Sequence, residues 1–187
     1  SILGINGHLI VQPMDRPLDD YTSLSKKLEE IGGVKFAIPV VEGQTLASGR
    51  IGAGTGALVR GVEPTDIKKI ELVAEKVKQG SFESFGKEDG VAIGSRMAQN
   101  LGLSLGDNLT LVSPDGDITP MGVTPRIKAY PVIAIFEIGM SEYDSSIVFM
   151  PLVSLSREFA ALCSARGLAA GHVDGRSEDR REILARF

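Results

Sequence analysis

Two apolar segments with the character of strands, Asn108–Val112 and Ile127–Ile138, constrain the fold of this chain more than any other feature. A tight antiparallel pair needs only about two to five connecting residues, whereas Ser113–Arg126 supplies about fourteen. Connections of this length are usually functional or disordered. Because no catalytic constellation lies near it, we predict a module whose working part is a projecting loop.

The composition of this connection predicts a stiff loop with an apolar tip. Its prolines restrict the backbone and lower the entropy that is lost on binding. Its apolar residues would stand in exposed loop, where methionine in particular adapts to the groove of a partner. The alternative is that the loop folds back and these residues cover the core. The prolines are Pro114, Pro120 and Pro125, and the apolar residues are Ile118, Met121 and Val123.

Helical and strand periodicities are interspersed along the rest of the chain. Apolar residues three and four apart indicate a helix at Tyr21–Ile31, which the Gly32-Gly33 pair would end. Pro39 lies inside the next strand pattern and favours an edge position or a bulge. Because no βαβ rhythm repeats, the pattern favours an α+β fold. The other expected elements are strands at Leu9–Gln12, Val34–Leu46, Ala57–Gly61 and Ser145–Met150, a helical segment from Pro64 with Ile67, Ile70, Val73 and Val77 on one face, and a helix capped by Ser95 that ends at Gly102.

Composition excludes several classes of function. The 187 residues are 43% hydrophobic and 24% charged, which is typical of a folded, soluble protein. A net charge of −4 gives no reason to expect a nucleic-acid partner or a polybasic membrane contact. The longest unbroken apolar run, Val132–Phe136, is far shorter than the ~18 residues that span a bilayer. Cys163 is the only cysteine, which excludes an internal disulfide and a cysteine-based metal site.

The glycine, histidine and cysteine residues do not form a recognisable enzyme motif. The run Gly52–Gly56 lacks the G-x-G-x-x-G spacing and precedes a strand pattern, whereas a phosphate site needs a helix there, so we interpret it as a loop. His8 and His172 lie in unrelated contexts, which argues against a shared metal or a catalytic pair. Cys163 has no nearby histidine that could activate it.

Three clustered acidic residues are the remaining candidates for catalysis. Glu137, Glu142 and Asp144 are interpreted as a solvated strand end and turn. A hypothesis of another class is a small hydrolase that uses Glu137 or Glu142 as one of two paired carboxylates. Such an enzyme would need a concave site, of which the sequence gives no sign.

Five stretches of this chain resemble a single transporter family. They are ILGINGHLIVQ (Ile2–Gln12), AIPVVEGQTLASG (Ala37–Gly49), ALVRGVEP (Ala57–Pro64), GVAIGSRMAQNLGLSLGDNLTLVSP (Gly90–Pro114) and YPVIAIFEIGMSEYDSSIVFMPL (Tyr130–Leu152). The VRG motif and EYDSSIVFMPL are the most specific of these residues. Through them the chain resembles the periplasmic domain of LolC/LolE-type permease subunits of the lipoprotein-releasing ABC transporter, within the MacB/FtsX-like superfamily.

The resemblance implies a periplasmic domain of an inner-membrane protein of a Gram-negative bacterium, between the first and second transmembrane helices. It implies a two-lobed fold, with 1–60 and 145–187 in an α+β lobe next to the membrane and 61–144 in a mostly β lobe. It implies no catalysis, cofactor or metal in this domain, because ATP hydrolysis belongs to a separate cytoplasmic subunit, LolD. The implied partners are the periplasmic chaperone LolA, outer-membrane lipoproteins and the partner permease subunit.

The resemblance also implies where this domain would bind its chaperone. In the LolC type a protruding hairpin hooks the chaperone, and nearby polar and basic residues form a supporting pad. Ser113–Arg126 stands at the matching place, so Pro120 and Met121 are the expected hook tip and Arg126 is the expected pad residue. The candidate binding residues are Pro114, Ile118, Pro120, Met121, Val123 and Arg126. The sequence leaves open the LolE type, a combined subunit, and a MacB- or FtsX-like domain that couples a transporter to another periplasmic partner.

Overall fold

The computed structural model describes residues 21–119 and 122–152. Helices and strands are interspersed along these residues, which confirms the expected α+β class. The predicted strand at Leu9–Gln12 lies outside the described residues. The elements are α1 (Tyr21–Glu29), β1 (Val40–Ser48), β2 (Thr55–Val62), a 3-10 turn (Ile67–Lys69), α2 (Glu71–Ala74), β3 (Val77–Gly80), β4 (Val91–Gly94), α3 (Ser95–Leu101), β5 (Asn108–Thr119), β6 (Gly122–Phe136), α4 (Ser141–Ser146) and β7 (Ile147–Pro151).

The two helices that the sequence predicted most directly form close to their predicted ranges. α1 ends at Glu29, and Gly33 beyond it has a φ of 97°, which favours glycine. α3 buries its predicted apolar face and ends at Gly102, whose φ of 63° is the left-handed conformation of a helix C-terminus. Ser95 is the first helical residue of α3, and Gly94 takes the N-cap position that was expected for Ser95.

Some predicted elements are wrong in their extent. The strand expected at Ser145–Met150 begins only at Ile147, because Ser145 and Ser146 belong to α4. The strand expected from Val34 begins only at Val40, directly after Pro39, because proline has no N–H to donate to a ladder. The helical segment expected from Pro64 divides into the 3-10 turn and the four-residue α2. Its predicted apolar stripe is nevertheless buried at three positions, while Val77 belongs to β3. The buried positions are Ile67, Ile70 and Val73.

The strands of the described residues form one seven-stranded sheet that closes on itself. Its order is β3-β6-β4-β7-β2-β1-β5, and β5 also pairs with β6. Following these pairings from β6 through β4, β7, β2, β1 and β5 leads back to β6, so six strands form a closed ring. β3 lies outside the ring and pairs with the last residues of β6. Each of the six ring strands therefore pairs with a neighbouring strand on both sides.

The core lies on both faces of this ring. Each of the six ring strands contributes residues to one apolar cluster, including Val59, Leu109 and Val148, so this cluster fills the inside of the ring. Met97 and Leu101 of α3 join the same cluster. A second cluster covers the outer face of β2, β4, β6 and β7 and includes Ile67 of the 3-10 turn and Val73 of α2. β4 and β7 are therefore buried on both faces, which accounts for their continuous apolar sequences VAIG and IVFMP.

The division of the chain into two lobes stays a prediction. One lobe would comprise 1–60 and 145–187, and the other 61–144. The segments 1–20 and 153–187, which would complete the membrane-side lobe, lie outside the described residues. Within the part of the chain that is described, no helix has the length and hydropathy of a membrane span.

Candidate functional site

The segment expected to form a long loop is a continuation of two strands. β5 and β6 run through 113–119 and 122–126, and they pair at Asp117–Thr124, Ile118–Val123 and Thr119–Gly122. The prediction of an open connection is therefore wrong. The antiparallel ladder gives the backbone N–H and C=O groups partners that a loop would lack.

This β-ribbon projects from the ring. β1 pairs with β5 only at Thr110–Val112, and β4 pairs with β6 only from Val132 onward. Among the described residues, the two strands pair only with each other between these limits, from Ser113 on β5 and up to Pro131 on β6. The expectation of a projecting element thus agrees with the strand pairing, although the element is a ribbon.

The pairing of the ribbon is interrupted at one segment, which we call the neck (residues 114–116 and 125). Ser113 pairs with Arg126, and the next pair along the ribbon is Asp117–Thr124. Three residues of β5 consequently stand opposite the single residue Pro125 of β6. Pro114 and Pro125 both belong to this neck, where a break in the ladder removes the demand for their missing N–H groups.

The predicted site residues are distributed along this ribbon. Pro114 lies in the neck, Ile118 and Val123 are paired with each other, and Arg126 pairs with Ser113 at the base. The side chain of Arg126 is half-buried. The expected hook tip, Pro120 and Met121, lies outside the described residues. The role of all six residues in binding stays a prediction.

The base of the ribbon carries apolar residues that the sequence analysis did not single out as a surface. Leu46 pairs with Val112, and Val112 pairs with Ile127, so the three residues form one row across β1, β5 and β6. Ile127 is 68% exposed and Leu46 is 50% exposed. Their alternation with buried neighbours such as Leu111 is the signal that could have identified an outward-facing row.

Lys128 adds a second basic residue to the base of the ribbon. It lies two residues after Arg126 on the same face of β6. Its Nζ is 3.8 Å from a carboxylate oxygen of Asp89 and 4.8 Å from the centroid of the Tyr130 ring. Lys128 was not predicted as a site residue, because Arg126 was expected in the loop and Lys128 in the strand that follows, whereas both belong to β6.

The acidic cluster is a structural feature of the turn before β7, and its interpretation as solvated is wrong for one residue. Asp144 is buried within α4, and its carboxylate accepts hydrogen bonds from the backbone N–H groups of Ile138 at 2.8 Å and Gly139 at 3.0 Å. Glu137 is ion-paired with Lys78 at 3.2 Å, and Glu142 is exposed. These partners assign the carboxylates to local structure.

The other sequence motifs are not brought together in the described part of the chain. The glycine run begins in the turn between β1 and β2, as predicted, where Gly52 has a φ of 81°, but its last two residues, Thr55 and Gly56, belong to β2. His8, Cys163 and His172 lie outside the described residues. Within 21–119 and 122–152, no group of three or more His, Cys, Asp or Glu residues is placed to hold a metal ion.

A group of ion pairs joins α1 to the segment around α2, far from the ribbon in sequence. Lys69 binds Asp66 at 2.8 Å and lies 3.8 Å from Glu29 of α1. Lys35 pairs with Glu71 at 2.6 Å. The hydrogen bond to Asp66 raises the pKa of Lys69 above its ordinary value, and the nearby carboxylate charges add to this effect.

Comparison with curated proteins identifies relatives of one kind. The lipoprotein-releasing system transmembrane protein LolC of Neisseria meningitidis serogroup B is 30% identical over 149 residues, which cover 79% of this chain and 35% of that protein. LolC of Xylella fastidiosa is 26% identical over 157 residues, which cover 83% of this chain and 38% of that protein. This chain therefore spans little more than a third of the length of these curated relatives.

Solved structures and family models provide two further comparisons. The periplasmic region of MacB from Actinobacillus actinomycetemcomitans has a TM-score of 0.43 at 12% identity, covering 72% of this chain and 56% of that chain. A domain of a putative permease protein from Porphyromonas gingivalis has a TM-score of 0.45 at 18% identity, covering 66% of this chain and 53% of that chain. The family model described as the MacB-like periplasmic core domain matches residues 4–176. Because that match covers most of the chain, and in agreement with the expected resemblance, this protein belongs to the family of MacB-like periplasmic core domains.

Proposed function

We propose that this chain is the periplasmic domain of a LolC-type permease subunit, and that it recruits a LolA-type chaperone to receive outer-membrane lipoproteins. The observation that carries the proposal is the projecting β-ribbon of β5 and β6. The LolC relatives support the transporter class, because they are named as transmembrane proteins of a lipoprotein-releasing system. The transporter would supply the partner permease subunit and the separate ATPase subunit, LolD.

The ribbon suits a contact that must form and dissociate repeatedly. A two-stranded ribbon presents little surface, and the apolar positions Ile118 and Val123 stand opposite each other near its end. Met121 lies in the sequence between Thr119 and Gly122, which form the last described pair. We propose that its side chain is the anchor that binds the carrier. An interface built on one or two anchors gives modest affinity and fast release, which a relay step needs.

The base of the ribbon supplies positive charge. Arg126 and Lys128 lie on the same face of β6, so an acidic rim on the carrier would be attracted to them. Such charges chiefly raise the association rate and orient the encounter. We therefore assign Met121 to anchoring and Arg126 to orientation.

The same scaffold supports a second candidate function. The matching family model is that of MacB-like domains, so the ribbon could couple an ABC transporter to a different periplasmic partner. Both candidates need the ribbon to bind a protein, and they differ in which protein binds. Neither assigns a catalytic reaction to this domain.

The experiment that tests the proposal is binding of the purified chain to a LolA-type chaperone from the same organism. We compare the unchanged chain with Met121→Asp and with Gln99→Asp, which places the same charge on the exposed face of α3. Saturable binding that Met121→Asp removes and Gln99→Asp retains, with unchanged circular dichroism, supports recruitment by the ribbon. Absence of binding by the well-folded, unchanged chain contradicts recruitment and favours the MacB-like partner role.

The same comparison tests the alternative that residues of this segment cover the core. A charge at an exposed ribbon tip changes stability by no more than about 0.5 kcal/mol. A charge inserted into the core would unfold the chain, because an unpaired buried charge is strongly destabilising. Loss of the folded circular dichroism spectrum in Met121→Asp alone would therefore indicate packing against the core.

A further inference from the structure

Among the described pairs, the β5–β6 ladder loses its register only at the neck. From Asn108–Pro131 to Ser113–Arg126 the partners advance without a shift. The next pair, Asp117–Thr124, is displaced by two residues on β5. Residues 114–116 therefore have only Pro125 opposite them, and the ladder is divided into a base and a tip ribbon (117–119 and 122–124).

The two extra residues of β5 break the ladder at the neck, and the residue types there weaken it further. Pro114 and Pro125 have no backbone N–H, so neither can donate a hydrogen bond to the opposite strand. Asp115 and Gly116 are the two residues by which β5 exceeds a regular register. Extra residues on one strand disrupt a ladder locally and bend it. The neck therefore couples the base to the tip ribbon weakly.

The neighbouring strands of the ring do not support the tip ribbon within the described residues. Pairing of β1 with β5 ends at Val112, and pairing of β4 with β6 begins at Val132. The tip ribbon has three described residue pairs, and a two-stranded ribbon is at best marginally stable without a third strand or a packed face. The base, in contrast, belongs to the closed ring and its core.

We propose that the neck is a swivel, which lets the tip ribbon change its direction relative to the ring while the ring pairs stay intact. The two prolines fix φ on both strands, so the rotation is confined to the remaining backbone angles of the neck. Gly116 supplies conformational freedom on the longer strand. The domain can then hold a partner whose position changes relative to the ring. This inference concerns the motion of the ribbon and holds whichever protein the ribbon binds.

The register predicts a variant that removes the swivel. Deletion of Asp115 and Gly116 would place Pro114 opposite Pro125 and bring Asp117–Thr124 into the register of Ser113–Arg126. The variant keeps the base, the tip ribbon and both prolines. It therefore tests the broken register alone.

The test measures distances between nitroxide labels by pulsed electron paramagnetic resonance in a Cys163→Ser background. One pair joins Thr124 at the tip ribbon to Gln99 on α3, and a reference pair joins Gln44 on β1 to Gln99, all three exposed. We expect the Thr124–Gln99 distribution to be about twice as wide as the reference in the full-length neck and as narrow as the reference after the deletion. Two results would overturn the proposal. One is that the Thr124–Gln99 and Gln44–Gln99 distance distributions are equally wide with the full-length neck. The other is that the Thr124–Gln99 distribution does not narrow after the deletion.

Amide hydrogen exchange of the unchanged chain gives an independent answer if the deletion variant does not fold. We expect the amides of Thr119 and Val123 to exchange at least about 100-fold faster than those of Leu109 and Tyr130 in the base. Equal protection of tip and base would mean that the tip ribbon opens only together with the ring, which would overturn the weak coupling across the neck on which the swivel depends. Neither measurement involves the chaperone, so failure here is distinguishable from failure of the recruiting function.

Discussion

Gly94 and Asp144 are in backbone contact where α3 and α4 meet, and a β-carbon added to Gly94 would lie 2.6 Å from the Cα of Asp144. Only glycine fits at this distance, because real β-carbons do not approach other atoms so closely. The contact lets α4 pack against α3 and β4. It therefore holds in place the short helix that carries the buried Asp144 carboxylate.

Replacing Gly94 by alanine should destabilise the fold substantially. The added methyl group would collide with the backbone of Asp144, which cannot move aside as a flexible side chain could. We expect the free energy of unfolding to fall by about 2–3 kcal/mol, the range of overpacked cores. Urea unfolding followed by circular dichroism measures this change.

Gly43→Ala is the matched control for this substitution. Gly43 lies in β1, and a β-carbon there would meet nothing within 4 Å. Its unfolding free energy should stay within about 0.5 kcal/mol of the unchanged chain or increase slightly. Equal losses in Gly43→Ala and Gly94→Ala would show that the effect comes from the glycine backbone and not from the contact with Asp144.

Removing the Asp144 carboxylate should loosen the turn between β6 and α4. Asp144→Ala leaves the N–H groups of Ile138 and Gly139 without their acceptors. Because both donors are only partly buried, we expect a total loss of about 1–3 kcal/mol, the cost of one fully buried donor left without a partner. Glu142→Ala, in the same helix but exposed, should change stability by less than about 0.5 kcal/mol. Equal unfolding midpoints for the two variants would contradict the structural role of Asp144.

The Lys69–Asp66 ion pair should stabilise the protein in a way that depends on pH. The pKa of Lys69 is raised in the folded state, chiefly by its hydrogen bond to Asp66. A raised lysine pKa contributes stability below the unfolded value of about 10.4, and that stability is lost as the pH rises through the folded value. Because the Lys69 side chain is 42% exposed and partly screened, we expect a coupling of only about 0.5 kcal/mol at neutral pH.

A double-mutant cycle with Lys69→Met and Asp66→Asn measures this coupling. It should be present at about pH 7 and should be lost as the pH rises through the raised folded pKa of Lys69. The cycle of Lys68→Met with Asp66→Asn is the control, since Lys68 is the exposed neighbour of Lys69 in the 3-10 turn. A Lys69–Asp66 coupling that persists at high pH would show that it does not depend on the lysine charge.

The sequence predicted those elements whose signals are local. α3 has an apolar stripe and a glycine that takes the left-handed conformation at its end, so its range follows from four or five neighbouring residues. The inner residues of β5 and β6 could likewise be recognised from their alternation. Closure of the ring could not be predicted from the sequence, because it depends on pairings such as Leu46–Val112 between residues that are distant in the chain.

Two further failures have specific physical causes. The ribbon was expected to be a loop because about fourteen residues are too many for an ordinary hairpin, but both strands continue into this segment and their ladder breaks only once, at Pro114 and Pro125. α4 was not expected because its sequence SEYDSS is rich in serine and aspartate, which have modest helix propensity. Its hydroxyl groups bond to carbonyl oxygens one turn earlier, and the buried Asp144 bonds to the preceding turn. Such tertiary and side-chain contacts override the local preference.

Reversing the charge at the base of the ribbon should weaken the proposed recruitment without removing it. Arg126 lies at the base of the ribbon and shares its face of β6 with Lys128. If it orients an acidic rim of the carrier, Arg126→Glu should lower the affinity about tenfold, mainly through a slower association rate. The loss should shrink as salt is added, because the attraction is screened.

Lys68→Glu is the matched control for the charge reversal, since it changes the net charge equally at an exposed site outside the ribbon. Surface plasmon resonance at low and high salt gives both rates, and thermal unfolding shows whether each variant is folded. Lys68→Glu should leave the affinity within about twofold of the unchanged chain. An equal loss in both variants would assign the effect to net charge. A normal association rate in folded Arg126→Glu would remove Arg126 from the proposed surface and leave the ribbon tip as the remaining contact.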